Sequence, residues 1–356
     1  MKKISLIAAA ASALLPLLTS CDHKELCFDH WDHAARHQVN FQAEWDLTWE
    51  YMHEGENWKE NWHNYDFSRE YEDLLHEQGT GIHSQVYTDG HDNEVTFLSS
   101  EGGIVHMTPG EHQILFYNND TEYIVFNDID LLANASATTR TRTRTTYHGN
   151  SKAPAGTRAD EVTVNPPDAL FAKYIESYTP EKAMEAPIEN ITLRPLVYRY
   201  YIRFHFKKGA NKVAVARGAL AGMAGSVFLT DGHTSSEPVT VLFDCETPDG
   251  TNDLLVEAAV NTFGVPNLPS PPEYTRAPFY GLTLEMRLKD GTMLEPIDFD
   301  ISDEIVKQPR GGVIDITDDR LDIPDDIGNE GGQGAFGVAI DDWGEYEDVS
   351  FDLGKK

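Results

Sequence analysis

Basic residues are scarce: 28 Lys and Arg stand against 59 Asp and Glu, a formal net charge of −31. A field of that sign repels phosphate backbones and anionic surfaces, so nucleic acid is excluded as a partner. After the first twenty residues no run approaches eighteen uninterrupted apolar residues, and no second segment reads as a bilayer span. Cysteine is limited to three residues, and Cys21-x5-Cys27 is too loosely spaced for the paired ligands of a zinc site. No Gly-x-Ser-x-Gly, His-Glu-x-x-His or P-loop is present. Carboxylate spacing is uninformative at this acid content, so no enzyme and no cofactor are expected. Gly332 to Gly337 matches Gly-x-Gly-x-x-Gly, but it leads into the alternation of Val338 and Ile340 rather than into a helix. Asp318 to Asp348 holds eleven acidic residues against one Arg, with no calcium-loop pattern, and reads as a solvated face.

What is there begins with MKKISLIAAAASALLPLLTS: two lysines, a long apolar and small-residue run, then Thr and Ser. That is the layout of a secretory signal over residues 1–20, and Leu18-Thr19-Ser20-Cys21 has the order of a bacterial lipobox. Cys21 is therefore expected to be the acylated first residue of the mature protein, holding it on the outer membrane. His30-x2-His33-x3-His37 fits either one helical face, as a weak metal site, or a tether; residues 21–38 are read as the tether.

From Asn40 to Tyr51 apolar and polar residues alternate with period two, the signature of a half-buried strand. Phe67, Tyr71, Leu74 and Leu75 recur at helical spacing, which predicts a short helix near Ser68 to Gln78. Short β-rich runs then follow one another between Asp-Gly, Pro-Gly and Asn-Asn-Asp turns. They pause at Asn134 to Asp160, where Arg140, Arg142 and Arg144 lie in a stretch with almost no large apolar side chain. This reads as an exposed loop open to an Arg-specific protease. With 40% hydrophobic and 10% aromatic residues the chain fills one large or two ordinary cores. The expectation is all-β: an antiparallel sandwich over 39–135, a loop or linker over 136–190, and a second sandwich over 191–356. Parallel βαβ units are not expected, because the connections are short.

Two sets of side chains stand out. Trp58 and Trp62 lie in a polar excursion and are candidate contacts for a glycan or partner, whereas Trp45 and Trp49 fall on the apolar strand face. Cys27 and Cys245 permit a disulfide in an exported protein. Cys245 also sits on the apolar face of Val239-x-Val241-x-Phe243-x-Cys245, where a thiol packs as a small hydrophobe.

Several phrases in order resemble one family: Cys21-Asp22-His23-Lys24-Glu25-Leu26-Cys27, GEHQILFYNNDTEYIVF (110–126), GALAGMAGSVFLTDG (218–232), NTFGVP (261–266), LKDGTMLEPIDFDISDEIV (288–306) and GAFGVAIDDW (334–343). They are similar to lipoproteins related to the fimbrium anchoring subunits of type V fimbriae, in the fimbrillin superfamily. The resemblance implies two transthyretin-like β-sandwich domains, a lipid-anchored N-terminus at the cell surface, and partners that are other fimbrial subunits joined by strand donation. Gly334 to Lys356, with Phe336, Val338 and Ile340, is nominated as the closing or donated strand. The alternative is a surface lipoprotein that binds glycans or host proteins without polymerising.

Overall fold

The computed structural model describes residues 34–51, 57–142, 161–248, 254–268 and 279–327. Strands take up 51% of these residues and helices 11%, so the protein is all-β. The first strands are β1 (Arg36–Trp45), β2 (Gly81–Thr88), β3 (His91–Ser99), β4 (Gly102–His106), β5 (His112–Tyr117), β6 (Ile124–Asn127) and β7 (Ser136–Thr139). Next come β8 (Val162–Val164), β9 (Phe171–Tyr178), β10 (Lys182–Ala183), β11 (Ile188–Pro195), β12 (Tyr198–His205) and β13 (Val213–Ala224). The last are β14 (Ser226–Phe228), β15 (Pro238–Cys245), β16 (Leu255–Thr262), β17 (Gly281–Leu288), β18 (Ile297–Asp300) and β19 (Gly312–Thr317). Two short helices, α1 (Trp58–Asn61) and α2 (Ser302–Lys307), interrupt them.

The first sheet curls on itself. Its order is β10-β1-β11-β9-β5-β2-β3-β4, with β4 pairing back onto β1. Val39, Phe41, Ile82, Val86, Ile114, Phe116, Ile191 and Leu193 fill the enclosed core. The return of β4 requires Gly102: its φ is +102°, and a Cβ there would stand 1.9 Å from the Phe41 carbonyl oxygen. Ile114-Leu115-Phe116-Tyr117 has no polar face because β5 is buried on both sides. Ile114 and Phe116 face this core, while Leu115 and Tyr117 join a second one. That second core, with Ala137, Leu196, Val227 and Phe263, lies beneath the small sheet β14-β7-β6.

Further along the chain, β16-β12-β19 and β18-β17-β13-β15-β8 face one another across the largest core, a sandwich. Its central strand β13 reads Gly218-Ala-Leu-Ala-Gly-Met-Ala224, and the small residues have a packing reason. A Cβ on Gly218 would lie 2.1 Å from the Phe243 ring on neighbouring β15.

Several expectations are revised. Residues 134–142 are not an open loop: Ala135, Ala137 and Thr139 are buried, and Arg142 donates to the Leu242 carbonyl (2.9 Å) and to Asp244 (3.2 Å). The interval 136–190 holds β7 to β10 and the start of β11, with β9 and β11 in the first sheet and β8 in the second sandwich. The pairs β1–β11, β12–β19 and β15–β8 run parallel, an exception to the antiparallel expectation. These partners are remote in sequence, so no tight turn constrains their direction. Only one short 3-10 turn, Tyr71–Leu74, stands where the helix near Ser68 to Gln78 is predicted.

Candidate functional site

The expected Asn40–Tyr51 strand breaks at Asp46, whose side chain accepts from the Thr48 amide and hydroxyl and turns the chain out of the first sheet. Trp45 stays against the first core, and Trp49 is carried to the outer face of the second sandwich. There the excursion of residues 57–75 lies over Tyr201 and Val313 of β12 and β19. Trp62 is only 6% exposed, with its Nε1 donating to the Arg69 carbonyl (2.9 Å) and its ring 4.1 Å from Phe67. Trp58 is half-buried and donates to Gln308 Oε1 (3.1 Å), and Tyr65, at 42% exposure, is the open ring of the group. Of the two candidate tryptophans, then, Trp62 is a core residue beneath the excursion and Trp58 lies at its margin. α1 is held by Asn57, whose side chain accepts from the Glu60 amide.

A polar clasp fastens the excursion to the sheet. Glu257 on β16 accepts from Ser68 Oγ (2.6 Å), the Tyr201 hydroxyl (2.6 Å) and Arg69 Nε (3.3 Å), and Arg69 also pairs with Glu246. Burial pushes the Glu257 carboxyl up, but these bonds, those from Ser68 and Tyr201 first, hold it below the usual carboxylate range. Burial raises the Tyr201 phenol, with Glu257 adding to it, so the hydroxyl remains a donor. Arg203 stacks over Phe67 at 4.9 Å and donates to the Asp66 carbonyl (2.8 Å). Ser68 has a carboxylate and a phenol for partners rather than an imidazole, which is the chemistry of a structural network and not of an activated nucleophile.

The second sandwich has a groove at one side. β18 and β19 are the last strands of their sheets among the described residues, and between Leu294–Ile297 and Arg320–Pro324 lies a cavity of about 460 Å³. Core residues Ile297 and Ile323 line it. Arg320 lies over Phe299 at 5.1 Å and is held by Asp318. The cysteines are not brought together in view: Cys245 ends β15 half-buried against the core, while Cys21 and Cys27 lie outside the described residues. So do Arg144, His30, His33 and the nominated Gly334–Lys356 strand. His37 pairs its Nδ1 with the Pro180 carbonyl at 3.0 Å. Neither the groove nor the clasp was flagged by the sequence, because each joins segments far apart in the chain.

Residues 77–244, just under half of the chain, match the model of a domain of unknown function, DUF5119. No curated protein matches the sequence. Among solved structures, a candidate adhesin from Bacteroides ovatus shares the fold: 18% identity, a TM-score of 0.51, 83% of this chain and 95% of that one. The fimbrial anchor protein Mfa2 of Porphyromonas gingivalis aligns at 10% identity and a TM-score of 0.39, over 78% of this chain and 90% of that one. The tip fimbrial protein Mfa3 of the same organism aligns at 10% identity and a TM-score of 0.32, over 74% of this chain and 80% of that one. The match over residues 77–244 and the fold shared with the B. ovatus protein are consistent with the fimbrium-related family that the sequence resembles.

Proposed function

We propose that the protein is a non-catalytic surface subunit of a fimbrial fibre, lipid-anchored in the outer membrane through Cys21 and joined to other subunits by β-strand complementation. The groove between Leu294–Ile297 and Arg320–Pro324 carries the reading. It lies where both sheets of the second sandwich end among the described residues, so an incoming extended segment finds the outer edge of β18, where the Arg320 side chain rather than a strand meets the Asp298 carbonyl (3.3 Å), and apolar side chains, Ile297 and Ile323, between the layers. The enclosed first sheet and the second sandwich serve as two transthyretin-like units in tandem. The incoming strand is a neighbour's, with Gly334–Lys356 the segment this chain offers in return.

A photo-reactive benzoylphenylalanine placed at exposed Glu295 and activated on intact cells tests the idea. Crosslinking to other β-rich subunits in a ladder is expected. Surface-displayed protein that crosslinks to no subunit would show that the groove is not the joint.

A further inference from the structure

A cleft of about 650 Å³ opens between the first sheet and the second sandwich, and we infer that it binds an acidic saccharide. This rests on the cleft alone and not on the fibre reading.

One wall is the crossing segment Asp46 to Tyr51, another is the ends of β9 and β11, and a third is the Thr230–Gly232 turn. The floor is rigid. Arg310 is 7% exposed, donates to the Gly232 carbonyl (3.2 Å) and spreads its guanidinium over the Tyr198 ring at 5.4 Å. Tyr198 is itself pinned, its hydroxyl donating to the Pro195 carbonyl at 3.1 Å. A volume of this size suits a ligand of two or three sugar rings.

The acidic side chains of the cleft already have partners. Asp46 accepts from Thr48, Glu50 accepts from the Tyr71 hydroxyl (2.9 Å), and Asp231 accepts from the His233 amide (3.0 Å). The outer cations do not. Among the described residues, neither Lys173 nor Arg194 has an ion-pair or side-chain hydrogen-bond partner, although the chain carries 59 acidic residues against 28 basic ones. Donors without acceptors in a concave site call for a ligand that brings the acceptors, and a carboxylate matches the guanidinium fork.

The rings identify the rest of the ligand. Tyr51, 53% exposed, and Tyr174, whose hydroxyl accepts from Gln113 (2.9 Å), offer flat faces bearing a polar tip. Such faces suit the C–H surface of a pyranose. An extended peptide fits less well, because the backbone of the walls is committed. The amide of Asp46 donates to Leu193, that of Tyr51 to Arg310 and that of Leu196 to Leu170, so no strand can add there.

Calorimetric titration of the full mature chain with tri-galacturonate, its fully methyl-esterified form, sialyllactose and a hexaglutamate peptide tests the proposal. At least one of the two acidic saccharides should bind. If tri-galacturonate is the ligand, its methyl ester should bind at least tenfold more weakly. The double variant Lys173→Ala/Arg194→Ala should weaken binding at least tenfold and Tyr51→Ala several-fold. Melting temperatures should change little, since Arg194 and Tyr51 are exposed and the half-buried Lys173 has no ion-pair or side-chain hydrogen-bond partner among the described residues. Three results would overturn it: no binding by either acidic saccharide, binding untouched by the double variant, or equal binding of hexaglutamate, which would make the cleft a general anion site.

Discussion

His76 sits in a stretch of polar sequence but is 2% exposed, its Nε2 donating to the Val197 carbonyl at 2.9 Å and its backbone amide to the Leu47 carbonyl at 3.0 Å. Burial, helped by the Arg199 guanidinium, lowers its pKa to about 3. The sign follows: the unfolded chain takes up a proton below about pH 6.5, and the folded one does not until about pH 3. Stability held by the neutral ring is therefore complete above pH 6.5 and is lost as pH falls towards 3, at about 1.4 kcal/mol per pH unit. Glu257, held below its ordinary value, adds a second loss with the same sign, beginning nearer pH 4.5. Between pH 7 and 5 the urea midpoint should fall by the equivalent of about 2 kcal/mol, and His76→Gln should flatten that slope. An equal slope in the variant would mean that the ring is not buried neutral. Nothing in the local sequence marks His76 as buried, because its partners are contributed by residues 47, 171 and 197.

At the scale of elements, the apolar spacing of Phe67, Tyr71, Leu74 and Leu75 identifies residues that pack against the core but not their backbone form. The carbonyls of Leu74 and Leu75 are taken by Arg199 (2.8 and 3.5 Å), so a longer helix is displaced by a tertiary bond. The run Leu282–Leu288 is legible because Leu282, Leu284, Met286 and Leu288 recur with period two toward the core, although Thr283 and Glu285 on its other face are buried as well. β13 is only partly legible, since its glycines and alanines signal a close neighbour rather than a strand. The excursion itself should be a cooperative part of the fold. Trp62→Ala removes the ring between Phe67, Tyr71 and Tyr201 and should cost about 3–5 kcal/mol in denaturant unfolding, with Trp62→Phe losing much less. A loss under about 1 kcal/mol would mean that the excursion does not depend on this packing.

For the whole molecule, composition and periodicity indicate an all-β chain, and they stop at the order of the strands. Alternation says which face is buried and not which neighbour is paired. β1 therefore finds β4 and β11, the latter roughly 150 residues away, through closure of the sheet rather than through any local signal. The cleft and the edge groove follow from that order and are invisible for the same reason. Charge, by contrast, is legible in full and bears on attachment. A chain of net charge −31 is repelled by an anionic leaflet, so its surface contributes little to holding it at a membrane. Acyl chains on Cys21 would each contribute about 0.8 kcal/mol per buried methylene, enough with several chains to make release negligible. The first strand begins at Arg36, and the intervening chain reaches at most about 50 Å when extended. Cys21→Ser, expressed in a cell that exports it, should therefore abolish palmitate labelling and move the protein from the membrane pellet to the soluble fraction, with the melting temperature of the folded body unchanged. A variant that still sediments with membranes after a salt wash would locate the attachment elsewhere on the protein, and the anchored reading would fail with it.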